Sequence, residues 1–190
     1  MGALASILDE HDAIARMQAL PAFDGLPAWA GRDHDAAIAS FVAELVGDED
    51  ELCVRVALAA LNTVRGYMPD APIAELAVDP SWLDLQIAAV ERYLELRDEA
   101  SAELAGQTID VTRQTSAWRD FDVADGWIGE AADFAVQAVR APSAYVAAGC
   151  ARDPRTCAVL AAICATRALV CAAIDADQAT LAVARAVVAA

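Results

Sequence analysis

The chain has no lysine; all 13 of its basic side chains are arginine. Histidine is almost absent too, with two residues, and aromatics make up only 6% of the 190 residues. Against 29 acidic residues the formal net charge is -16, and the pI is about 4.2. So little positive charge excludes nucleic acid as an expected partner, because binding there rests on neutralising phosphates. An anionic membrane surface is disfavoured on the same ground. With two histidines, both near the N-terminus, proton chemistry near neutral pH would need a carboxylate of shifted pKa, and no single carboxylate stands out. The sequence lacks a Gly-rich phosphate loop, a Ser-His-Asp or Cys-His pattern in suitable context, and a pair of E-x-x-H motifs. These gaps point away from an enzyme and toward a binding protein without a cofactor. A basic protein is the natural electrostatic complement. The all-arginine complement itself reads as the codon bias of a GC-rich genome.

What is present is alanine, which lifts the hydrophobic fraction to 58% and is the best helix former. The strongest helix signal is residues 153–173, DPRTCAVLAAICATRALVCAA. Asp153 suits a cap and Pro154 the first helical position, where a missing N–H costs nothing. Cys157, Cys164 and Cys171 recur every seven residues, nearly two turns, so they form one stripe that drifts by about 20° per step. Residues 156–174 have the hydropathy of a membrane span, but a central Arg167 would cost about 2.5–3.5 kcal/mol there. A buried core helix is the better reading.

The remaining pattern is helical as well. Residues 3–20 place Leu4, Ile7, Leu8, Ile14 and Met17 on one face, and Pro21 stops them. A Pro/Gly-rich loop follows, with Phe23 and Trp29 expected to pin it to the bundle. A second helix runs from His34 to Gly47 with Ile38, Phe41, Val42, Leu45 and Val46 inward. Asp48 and Glu51 have capping-box spacing for a third, which ends at Gly66. A further helix is expected from Asp79-Pro80 to about Leu104, with Gly106 beyond its end. Residues 107–125 read as a loop or distorted helix. Helix returns by Trp127 and lasts to Pro142, a short one passes through Tyr145 and Val146, and the last runs from Asp177. The expectation is all-α: one Ala-rich bundle of six to eight helices spanning residues 1–190.

The five cysteines are an odd number inside apolar patterns, as expected of reduced thiols in a cytoplasmic protein. The start, MGALASILDEHD, lacks the basic region of a signal peptide, though Gly2 and Ser6 match a myristoylation pattern. Stripe cysteines lie roughly 10 Å apart along a helix. Two of them cannot share one zinc that needs each sulfur at about 2.3 Å. Cys53 with one stripe cysteine would suit Cu(I), but packing is the expected role and no metal is assigned.

Three segments carry functional candidates. The pair His34-Asp35 resembles the His-Asp dipeptide of HD-type phosphohydrolases, which implies a metal-dependent phosphohydrolase as an alternative function. Capping accounts for Asp33 and Asp35 equally well. Residues 120–130, DFDVADGWIGE, resemble a calcium loop, but their register is off by one from the EF-hand pattern. Their dense acidic-aromatic composition marks Trp118, Asp120, Asp122, Asp125 and Trp127 as the expected contact surface for a basic partner, with tryptophans as anchors. The segments CVRVALAALNTVRGYMPDAP and AAVERYLELRDEA resemble Ala-rich helical proteins of bacterial toxin-immunity loci. That resemblance implies an inhibitor or immunity factor. An adaptor, or a structural protein that oligomerises through Ala-rich helices, fits the same composition, and the oligomeric state stays open.

Overall fold

A computed structural model describes residues 2–30, 33–67, 81–115, 124–139 and 153–190. These residues contain nine helices and no strand. They are α1 (Gly2–Ile7), α2 (Ala13–Gln18), α3 (Asp33–Val46), α4 (Asp50–Tyr67), α5 (Ser81–Leu96), α6 (Glu99–Thr115), α7 (Ala124–Ala138), α8 (Pro154–Cys171) and α9 (Ala176–Val188).

The count exceeds six to eight because two expected helices are each broken. Residues 3–20 split at the polar run Asp9-Glu10-His11-Asp12, which separates α1 from α2. The helix expected to reach Leu104 breaks at Arg97, whose φ of 54° is left-handed. Asp98 then caps α6, accepting the Ser101 backbone N–H at 2.8 Å. The Asp98 carboxyl is held below the usual range by these Ser101 hydrogen bonds. The charged residues around this break are exposed, and among them one helix stops and the next starts. Neither Gly66 nor Gly106 ends a helix; α4 and α6 run through them. The ambiguous residues 107–115 are helical, and the short helix expected through Tyr145 and Val146 lies outside the described residues.

The organising helix forms as its caps dictate. Asp153 accepts from the Thr156 N–H at 2.9 Å and from Thr156 Oγ1 at 2.6 Å, with Pro154 at the first position. At the other end, Ile174 N–H donates to Leu169 O and Ala173 N–H to Val170 O, both at 3.0 Å. This is a Schellman closure with Ala173 in the left-handed position at φ 66°. Between the caps α8 is buried nearly all round, against α7, α4, α3 and α9. Its alanines (158, 161, 162, 165) let neighbouring helices approach, while Leu160, Ile163 and Leu169 are fully buried. Each of those three contributes about 1.5–3 kcal/mol through burial. Length and composition would let α8 cross a membrane, yet most of it lies inside the fold.

Cys157 and Cys164 are buried, but the stripe does not stay inside, because Cys171 is exposed in the last turn. Cys53 is buried from α4, and burial, then the nearby charges of Asp50 and Asp153, push its thiol up to about 11. Such a thiol stays protonated and unreactive at neutral pH. The buried apolar side chains form one cluster shared by the helices. α5 and α6 pair as an antiparallel hairpin laid against α4 and α7. One polar contact sits deep there: Gln86 Nε2 donates to Asp133 Oδ1 at 3.4 Å, both residues fully buried.

Candidate functional site

Three helix starts meet at one end of the bundle. Asp35 lies in the first turn of α3, Trp127 in that of α7 and Asp177 in that of α9. Arg167, one turn from the end of α8, joins the first two. A charge on so apolar a helix needs a partner, since burying it alone costs several kcal/mol. Its guanidinium grips Asp35 as a fork, Nε to Oδ1 at 3.1 Å and Nη2 to Oδ2 at 2.5 Å. The side chains are 11% and 2% exposed. Nη2 also donates to the Trp29 carbonyl at 2.7 Å.

The rings complete the cluster. The Arg167 Cζ lies 5.0 Å from the Trp29 centroid and 4.6 Å from that of Trp127. The two ring centroids are 5.4 Å apart, tilted by 48°. The rings thus open as a V that the guanidinium closes, with cation–π attraction to both. Trp127 is half-buried, whereas Trp29 keeps 41% of its surface exposed. The loop before α3 is fixed here by a backbone carbonyl as much as by an apolar ring. Beside it, His34 Nε2 lies 2.7 Å from Asp177 Oδ1, tying α3 to α9. Asp33, Asp175 and Asp177 face solvent around this end.

The expected contact segment meets the structure in part. Trp118, Asp120 and Asp122 lie outside the described residues. Asp125 falls in the first turn of α7, and its side chain is outside the described set. Trp127 is described, and its ring holds Arg167 and Trp29 rather than standing free as an anchor. Phe23 packs against the core as expected, while Trp29 packs and still presents an exposed face. The capping role expected of Asp35 gives way to the ion pair with Arg167. His34 and Asp35 are therefore engaged by Asp177 and Arg167, not gathered with further ligands. Among the described residues no group of three His, Cys, Asp or Glu could hold a metal ion.

Comparison with known proteins adds no relative: the chain matches no family model, no curated protein and no solved structure. The functional reading therefore rests on the site alone. Among the described residues the site presents an aromatic surface flanked by carboxylates.

Proposed function

We propose that this protein acts in the cytoplasm by binding a basic protein partner, without catalysing a reaction, as an inhibitor, immunity-type or adaptor protein. The contact surface is the acidic-aromatic end of the bundle, with Trp29 and Trp127 and the carboxylates of Asp33 and Asp177; the segment that precedes and opens α7 in the chain, with Trp118, Asp120, Asp122 and Asp125, is proposed to meet the same partner. The observation that carries this reading is Trp29. Its ring is 41% exposed yet held from beneath by Trp127 and Arg167, so little side-chain entropy is lost when a partner covers it. Tryptophan supplies contact energy. The net charge of -16 steers a basic partner over about a Debye length, roughly 8 Å at physiological salt, and mainly raises the association rate.

The test is binding to the partner captured from the native host. Trp29→Ala is expected to weaken it by about 2 kcal/mol, roughly 30-fold. Asp120→Ala with Asp122→Ala should slow association and flatten its salt dependence. A partner that binds both variants with unchanged affinity at low salt defeats the proposal.

A second reading, self-assembly through helices, is favoured by the outer side of the α5–α6 hairpin, where Leu85, Leu96 and Leu104 are exposed. Leu85 and Leu96 are eleven residues apart, about three turns, and share one side of α5. Light scattering separates the readings. A closed oligomer that Leu96→Glu dissolves favours assembly, and a monomer favours the partner.

A further inference from the structure

At the opposite end of α3 a second feature stands apart from the tryptophans. A cavity of about 340 Å³ opens between the loop 21–25, Ala43 and Glu44 of α3, and Asp153, Arg155 and Thr156 at the start of α8. That is within the lower range of small-ligand pockets, about 300–1,000 Å³. Its wall is preformed. The tip of the Phe23 ring lies against Gly25, so close that a Cβ there would come within 2.6 Å of it. The ring centroid sits 6.0 Å from the Arg155 guanidinium carbon.

Arg155 is half-buried and without an ion pair among the described residues, whereas Arg92 and Arg185, which also lack one there, are exposed. Arg16, Arg55, Arg65, Arg97 and Arg167 each lie within ion-pair distance of a carboxylate. The Arg155 Nη2 donates to the Ala43 carbonyl at 3.1 Å, and its buried Nε has no acceptor among the described residues. Yet three carboxylates line the same cavity, those of Asp24, Glu44 and Asp153. Asp153 is committed to capping α8. Asp24 and Glu44 are exposed, line the same cavity, and form no ion pair with Arg155.

That mixed lining defines a guest. A simple anion would meet Arg155 but also the surrounding carboxylates, and a simple cation would meet the carboxylates but also Arg155. A molecule carrying both charges a few ångströms apart satisfies both walls. We infer that the cavity between Phe23, Glu44 and Arg155 binds a small zwitterion of the α-amino-acid class. Its carboxylate meets the Arg155 guanidinium, its ammonium faces Glu44 and Asp24, and its side chain lies over the Phe23 ring. This is a small-molecule site independent of the protein-binding end, and its test needs no partner.

Amide chemical shifts of the full chain are followed while glycine, the other common amino acids, acetate and methylammonium are titrated in turn. At least one amino acid should shift Phe23, Gly25, Glu44 and Arg155 saturably. Acetate and methylammonium should bind at least tenfold more weakly. Arg155→Met and Glu44→Gln should each weaken amino-acid binding at least tenfold. Glu44 is exposed, so its variant keeps the test valid even where Arg155→Met unfolds. Acetate or methylammonium binding as tightly as the best amino acid overturns the inference. So does a panel in which none shifts these residues, or Glu44→Gln binding unchanged.

Discussion

Replacing Arg167 by methionine keeps the length and apolar stem of the side chain but removes its charge. In the wild type the guanidinium neutralises Asp35, which is 2% exposed, satisfies the Trp29 carbonyl and closes the V of two indole rings. Removing one partner of a buried pair strands the other and costs about 3–5 kcal/mol. For a chain of this size, each kcal/mol moves Tm by about 2–4 °C. Arg167→Met should therefore melt roughly 6–20 °C lower. The converse change is milder. Asp35→Ala leaves Arg167, at 11% exposure, with its rings and the Trp29 carbonyl, so the loss should be about 1–3 kcal/mol. The double variant Asp35→Ala with Arg167→Met leaves no member of the ion pair stranded and should recover most of the loss, with a coupling of at least about 2 kcal/mol. Urea titration followed by circular dichroism measures all four proteins. Repeating it in 1 M NaCl should leave the differences nearly unchanged, since buried pairs are poorly screened. Arg167→Met within about 1 kcal/mol of wild type, or a double variant as unstable as the sum of the singles, refutes the reasoning.

Two further outcomes follow from the caps of α8. Ala173 occupies the left-handed position of the Schellman closure at φ 66°, a conformation that costs a residue with a Cβ about 1–2 kcal/mol; Ala173→Gly should raise the midpoint of thermal unfolding by a few degrees. At the other end, burial opposes the charge on Asp153, but its Thr156 hydrogen bonds prevail and its carboxyl lies below the ordinary value. A depressed carboxylate stabilises the fold above its unfolded pKa, about 3.9, and loses that contribution as pH falls through the folded value. Asp153→Ala should thus cost about 0.5–2 kcal/mol at pH 7, with the gap to wild type closing below about pH 4 in a pH series of melts.

The helix content was legible because local signals agreed with one another. Asp153-Pro154 started α8 where the caps placed it, and Gly47, with φ 53°, ended α3. The breaks were less legible. Nothing in the alternation around Arg97 distinguishes a solvated face from a left-handed turn, and only the spacing of Asp98 and Ser101 hinted at a new cap. Periodicity also passes silently through Gly66 and Gly106, because a glycine costs a helix only about 1 kcal/mol and packing around α4 and α6 outweighs it. Nothing in the sequence singles out Asp133, because α7 is buried on most sides, with Ile128, Ala131, Ala132, Phe134, Ala135 and Val136 all inside.

The tie between Arg167 and Asp35 was legible in principle. Asp35, Ile38 and Val42 are spaced three and four residues apart, so Asp35 lies in phase with the apolar stripe of α3. Arg167 lies within the most apolar helix of the chain. One carboxylate and one guanidinium, each on a side that should face the core, call for each other, because neither survives burial alone. The Arg167 charge that argues against a membrane span is the same charge that needs Asp35. The consequence reaches the surface. Nη2 of Arg167 holds the Trp29 carbonyl at 2.7 Å and its plane supports the Trp29 ring. A buried pair far along the chain from that loop thus fixes the exposed aromatic on which the proposed contact depends. Arg167→Met should accordingly weaken partner binding at temperatures where the fold is still intact, through Trp29 and without touching the partner itself.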